Sequence, residues 1–165
     1  MIEENNSVQQ ADMYTRAARR EQMFCHTLLT EKRHELLFAP FNISFSQYRI
    51  LIYLQQRHEG VQPSVIADDL VLLRQTVTNL LDGMAQRGWI ERHPHPQDRR
   101  RLLIRLLPDG KKLAKQLLKL ETEYDLRVDS HFTREELELY YRLRTRRDQA
   151  RETELQNILL ERETK

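Results

Sequence analysis

Between residues 14 and 38 the chain has neither glycine nor proline and repeats apolar residues at helical intervals, with Ala17, Ala18, Phe24, Cys25, Leu28, Leu29, Leu36 and Leu37. That pattern predicts one long helix, ending before Pro40 because the residue ahead of a proline is pushed out of the α region. Ser44-Phe45-Ser46-Gln47 reads as a capping box, in which a hydroxyl and an amide side chain satisfy orphan N–H groups at a helix start. The helix it opens runs through Tyr48, Leu51, Ile52 and Leu54 and should stop near His58-Glu59-Gly60. From Val61 the elements shorten. Pro63 suits a first helical position, and only two turns fit before a break at Val71-Leu72-Leu73. A longer helix then runs from Arg74 to about Arg87, with Val77, Leu80, Leu81 and Met84 on one side and Gly88 placed to close it. Short helix, tight turn, longer helix is the order of a helix-turn-helix, whose second helix enters the DNA major groove.

Two runs of strand character follow, 89–93 and 101–106, separated by His-Pro-His-Pro-Gln-Asp-Arg-Arg. In the second, Leu102, Ile104 and Leu106 alternate with Leu103 and Arg105, which predicts a β-hairpin wing. Pro108-Asp109-Gly110 opens a further helix through Leu113, Ala114, Leu117, Leu118 and Leu120, and Thr133-Arg134-Glu135-Glu136 is a capping box for a final one. That last helix carries Leu137, Tyr140, Tyr141 and Leu143, turns almost wholly polar over 144–154, and resumes with Leu155, Ile158, Leu159 and Leu160. A helix so polar in its middle is either solvated between two anchored ends or frayed. The predicted fold class is mainly α: a winged helix-turn-helix with a small β-hairpin wing, flanked by N- and C-terminal helices.

A length of 165 residues suits one domain with a helical appendage. The lone Cys25 cannot form an internal disulfide, and four glycines are too few for a β-sandwich, so a reduced, cytoplasmic, mostly helical protein is expected. No apolar run approaches the ~20 residues needed to span a bilayer, and the first twelve residues are acidic and amide-rich, unlike a signal peptide. Gly110-Lys111-Lys112 lacks the upstream glycine of a P-loop, and neither Cys-x-x-Cys nor Gly-x-Ser-x-Gly occurs. The carboxylates are interleaved with Lys and Arg, as on a solvated face. A protein that is not an enzyme and needs no cofactor is therefore expected.

The net charge of +2 says little, but its distribution says more. Between Arg87 and Arg105 six arginines (87, 92, 99, 100, 101 and 105) face only Glu91 and Asp98, a local excess of four positive charges. Three consecutive arginines at a hairpin tip, approached through the stiffening Pro94 and Pro96, suit a narrow minor groove, where the potential is most negative. Opposite its apolar stripe, the Arg74 helix shows Gln75, Asn79 and Gln86, flanked by Thr76 and Thr78. Gln and Asn can bond adenine at N6 and N7, and Thr can touch thymine, although any surface helix also shows amides to water. The candidate DNA-binding residues are thus Arg74, Gln75, Thr76, Thr78, Asn79, Arg99, Arg100 and Arg101.

Three motifs then combine: Thr76-Val77-Thr78 with Leu80-Leu81-Asp82, Arg87-Gly88-Trp89-Ile90-Glu91-Arg92, and Asp98-x-Arg100. Together they make the stretch from Ile66 to Gly110 resemble the winged helix of MarR-family transcriptional regulators. The resemblance implies a homodimer with interlocked terminal helices. The chain then divides into a polar leader (1–12), a helical dimerisation region (13–42 and 108–165) and a winged helix-turn-helix DNA-binding domain (43–107). It also implies two recognition helices in successive major grooves of a palindromic double-stranded operator, with wings in the adjacent minor grooves. Asp98 would brace the wing through arginine contacts, and Arg100 would be the minor-groove side chain. The chain departs from the family pattern at Leu73, where Ser or Thr usually opens the recognition helix, at Val71, where the turn often has Gly, and at Leu107, where Thr normally precedes the next helix.

The family further implies a small aromatic or lipophilic effector, or an oxidant sensed by cysteine. Tyr14, Phe24, Phe38, Phe41, Phe45, Tyr48 and Trp89 are placed either to line a pocket or to form core. Cys25, beside His26, is a candidate redox sensor or a buried inert thiol. Cys25, His26, Glu31, His34 and Glu35 hold metal-ligand atoms, but no pair has the spacing of a compact site, so no metal is expected. His93 and His95 should face DNA or solvent. The expected function is a sequence-specific DNA-binding repressor, released from a palindromic operator by a ligand or oxidant. The alternative is a winged-helix protein-interaction module without DNA binding, in which an apolar patch should replace the arginine tip.

Overall fold

The computed structural model describes residues 2–163; the side chains of residues 2–14, Met23, Phe24 and Arg99 lie outside that description. Helix α1 (Ile2–Phe38) begins well before residue 14, so the expected polar leader is helical. Its residues are polar, but none is a glycine or proline that would break the helix. A 3-10 turn over Ala39–Phe41, with Pro40 inside it, ends the helix, and Asn42 follows in the left-handed region (φ 49°).

Helix α2 (Phe45–Gln55) opens on the predicted capping box: Gln47 N donates to Ser44 Oγ (3.2 Å) and Ser44 N donates to Gln47 Oε1 (3.1 Å). It stops at Gln55, short of the expected boundary, and Gly60 (φ 90°) instead turns the chain into Val61. Val61 exchanges backbone bonds with Ile104 in both directions (3.1 and 2.8 Å), adding a single rung to the hairpin.

Helices α3 (Pro63–Asp69) and α4 (Arg74–Gln86) end in the same hydrogen-bonded Schellman motif. At the end of α4, Trp89 N reaches Met84 O (3.0 Å) and Gly88 N reaches Ala85 O (2.9 Å), with Gly88 at φ 70°. At the end of α3, Leu72 N reaches Ala67 O (2.9 Å) and Val71 N reaches Asp68 O (3.2 Å). The left-handed position there is held by Val71 at φ 53°. A β-branched residue in that region carries about 1–2 kcal/mol of strain that glycine avoids.

Strands β1 (Ile90–His95) and β2 (Asp98–Leu106) pair antiparallel from Ile90 opposite Leu106 to Pro94 opposite Leu102; the next pair is His95 with Asp98. The loop thus contracts to a turn at Pro96-Gln97, and Arg99, Arg100 and Arg101 form a bulge on β2 with no residue opposite. The predicted alternation also changes. Leu102, next to the bulge, is 41% exposed, whereas Leu103 is buried along with Ile104 and Leu106, β2 packing against both α2 and α3.

Helix α5 (Pro108–Asp129) starts against the Trp89 corner: Leu107 N donates to Trp89 O (2.9 Å), and a Cβ at Gly110 would lie 2.1 Å from that same oxygen. The chain forms two compact units, residues 1–118 and 119–165. The core of the first gathers Phe38, Ile50, Leu51, Ile66, Leu81, Met84, Ile104 and Leu117. In the second, Thr133 and Glu136 form the predicted capping box (2.8 and 3.2 Å) ahead of α6 (Arg134–Glu163). Helix α6 runs unbroken through its polar middle, and leaves Tyr140, Tyr141, Leu143, Leu155, Ile158, Leu159 and Leu160 exposed. Among the described residues no helix is long and apolar enough to cross a membrane.

Candidate nucleic-acid interface

Val77, Leu81 and Met84 bury one side of α4, so its other side is held outward, with Arg74, Gln75, Thr76, Thr78, Asn79 and Gln86 all exposed. Gln75 Nε2 donates to Asn79 Oδ1 (3.0 Å) one turn on. That bond leaves Gln75 Oε1 as an acceptor and Asn79 Nδ2 as a donor, the complement of adenine's N6 donor and N7 acceptor. Thr78 returns its hydroxyl to the Arg74 carbonyl (3.0 Å), so its methyl is the group left for an outside partner. Arg74 pairs loosely with Asp68 at 3.7 Å, both side chains exposed. A pair that long and wet contributes little and gives way readily to a phosphate.

The arginines of the hairpin divide into two sets. Arg87 donates to the Asn42 carbonyl and lies over the Trp89 ring (4.8 Å), Arg92 pairs with Asp82 of α4, and Arg105 Nε donates to Glu59 O (2.9 Å). These three tie the hairpin stem to the body of the domain. At the tip, Asp98 Oδ1 accepts from Arg100 N (3.1 Å) while Asp98 Oδ2 pairs with Arg101 Nε (3.2 Å). The Arg100 guanidinium is exposed and makes no hydrogen bond or ion pair with the described residues. The side chain of Arg99 lies outside the described residues. His95 is engaged within the hairpin, Gln97 N donating to its Nδ1 (3.2 Å), whereas His93 Nε2 lies 2.6 Å from Glu91 Oε1 without making a hydrogen bond.

Of the aromatic residues, Phe38, Phe45 and Tyr48 gather around His34 with ring centroids 4.5–6.2 Å apart, and Phe38 and Tyr48 are buried core. Trp89 instead stacks beneath Arg87, and the side chains of Tyr14 and Phe24 lie outside the described residues. Cys25 is exposed in the single chain, and the end of α1, at His34 and Phe38, packs against Phe45 and Tyr48 of α2. Among the described residues no three His, Cys, Asp or Glu side chains cluster as a metal site requires.

The tertiary structure brings in residues that belong to no local motif. Arg49 Nη2 donates to Leu70 O (2.7 Å) and Tyr53 OH donates to Asp69 Oδ2 (2.6 Å), binding α2 to the end of α3. Burial first, and the Asp69 bond second, hold the Tyr53 hydroxyl above the ordinary tyrosine value, against the Arg57 guanidinium over its ring, so it stays a donor. The only hint in the sequence is the spacing of Arg49 and Tyr53, one helical turn apart on the helix ahead of the helix-turn-helix.

A sequence model described as the MarR family matches residues 41–101. The HTH-type transcriptional regulator PecS of Dickeya dadantii is 30% identical over 112 residues, covering 67% of this chain and 68% of that protein. The chain belongs to the MarR family of transcriptional regulators. The transcriptional repressor YetL of Bacillus subtilis is 27% identical over 110 residues, 66% of each chain. The S. aureus MepR–DNA complex superposes with a TM-score of 0.68 at 25% identity, covering 81% of this chain and 96% of that one. The structural neighbours confirm the winged-helix fold class. Against the family pattern, Val71 is 89% exposed at the strained end of α3, and Leu73, 78% exposed, opens α4 without a side-chain cap. Leu107, in place of the family's threonine, uses its backbone to join Trp89.

Proposed function

We propose that this MarR-family regulator is a cytoplasmic, homodimeric repressor that binds a palindromic operator, α4 lying in the major groove and the hairpin tip in the adjacent minor groove. The observation that carries the reading is the division of labour among the arginines. Those of the stem are tied to the fold, whereas the exposed Arg100 guanidinium makes no hydrogen bond or ion pair with the described residues, on a backbone that Asp98 pins. Arg74 and Arg101 would contact phosphates and Arg99 would join Arg100 in the groove. Gln75 and Asn79 would address one adenine together, with Thr76 and Thr78 beside them. The MepR complex with DNA supports this reading for the fold, and the relative named a repressor supports the direction of regulation. Dimerisation is supported by the apolar side chains of α1 and α6 that a single chain leaves to water. Release would follow binding of a small aromatic or lipophilic effector, or oxidation of the exposed Cys25.

Selection of duplexes from a random pool, followed by footprinting, tests the reading. The expected footprint is two-fold symmetric, with half-site centres about one helical turn, ~10 base pairs, apart. A chain that enriches no duplex would instead be a protein-interaction module, and an asymmetric footprint would remove the dimer. On the selected duplex, Asn79→Ala is expected to relax preference at one base pair by ~1–3 kcal/mol while leaving the salt dependence unchanged. A uniform loss over all sequences would place Asn79 on the backbone instead.

A further inference from the structure

We infer that Arg49 and Tyr53 are positioning residues for DNA recognition: from α2 they hold the strained turn at Val71 from which α4 is launched. The inference rests on the DNA-binding reading above. Val71 adopts φ 53° yet is 89% exposed, so its own side chain gains almost no packing in return for that conformation. A valine persists in the left-handed region only where its surroundings over-determine it. Two ties do so on the residues just ahead of it. Arg49 binds the carbonyl of Leu70, which caps α3, and Tyr53 binds the carboxylate of Asp69, the last residue of α3. Both ties come from one rigid support, since Ile50, Leu51 and Leu54 between and beyond them are core. Downstream, Leu73 gives α4 no side-chain cap, so the direction of α4 is set by the turn rather than by a lock of its own. Loosening the turn lowers the fraction of molecules with α4 correctly aimed, and apparent operator affinity falls in proportion to that fraction.

A double-mutant cycle on a duplex selected by the wild-type chain tests this. Tyr53→Phe combined with Arg49→Met is expected to weaken binding about tenfold in the natural background but only about twofold when Val71→Gly has removed the strain. Tyr53→Phe alone, which deletes one hydroxyl, should show the same inequality on a smaller scale and remains folded if the double variant does not. The slope of log affinity against log salt should be unchanged, because no phosphate contact is lost. Equal losses in the two backgrounds would overturn the proposal, since the ties would then not act through the turn. So would a slope reduced by about two, one contact for each protomer of the dimer, which would make Arg49 a phosphate contact. In both cases the DNA-binding reading stands; a wild-type chain that selects no duplex overturns both.

Discussion

Gly110→Ala is expected to lower the unfolding midpoint by roughly 6–12 °C, whereas Gly83→Ala should raise it. The two glycines differ in what surrounds them. A Cβ at Gly110 would lie 2.1 Å from the Trp89 carbonyl oxygen and 2.9 Å from its carbon, and neither is the movable end of a side chain. The first turn of α5 must therefore move off the hairpin corner and weaken the Leu107-to-Trp89 bond. Overpacking of this kind costs about 3 kcal/mol, and in a chain of this size each kcal/mol moves the midpoint by about 2–4 °C. At Gly83 the nearest atom, Gln47 Nε2, is an ordinary 3.9 Å away, so alanine keeps its helix-propensity gain of ~1 kcal/mol over glycine. Thermal unfolding followed by circular dichroism checks both variants. A neutral Gly110→Ala would show that α5 does not need so close an approach to Trp89.

The second large effect is on binding. Replacing both Arg100 and Arg101 with alanine is expected to weaken binding of the selected duplex about 1,000-fold at moderate salt and to reduce the salt slope by about 3.6, because both wings of the dimer lose two charges. Counterion release is worth about 1 kcal/mol per neutralised phosphate at such salt, and the dimer loses four of these contacts. The Arg100 guanidinium has no partner among the described residues to lose, and the Arg101–Asp98 pair is exposed, so folding stability should shift by less than about 1 kcal/mol. Titration of the duplex shift at several salt concentrations measures the slope directly. An unchanged slope would take the wing out of the mechanism and leave recognition to α4 alone.

The features legible in the sequence are those set by neighbours in the chain. Ser44 with Gln47 and Thr133 with Glu136 form their capping boxes, and Gly88 closes α4, because each motif needs only residues a few positions apart. The apolar stripe of α4 likewise places Gln75 and Asn79 on its outer side. The charge count along the hairpin is a poorer guide. Six arginines look like one basic patch, yet Arg87, Arg92 and Arg105 are tied to Asn42, Asp82 and Glu59, partners 45, 10 and 46 positions away. The polar start of α1 misleads for another reason: polarity argues against burial and not against a helix, and a segment without glycine or proline is still free to be helical.

From its residues alone this chain specified the kinds and order of its helices, the hairpin with arginines at its tip, and the family to which those motifs belong, because periodicity, capping and turn chemistry act over a few positions. Tertiary structure alone decided that the Arg100 guanidinium, unlike those of the stem, makes no hydrogen bond or ion pair with the described residues, that the Trp89 carbonyl leaves no room for a Cβ at residue 110, that Cys25 is exposed in the single chain, and that Arg49 and Tyr53 tie α2 to the end of α3. These depend on atoms brought within a few ångströms by packing between distant segments, and no local pattern encodes such distances.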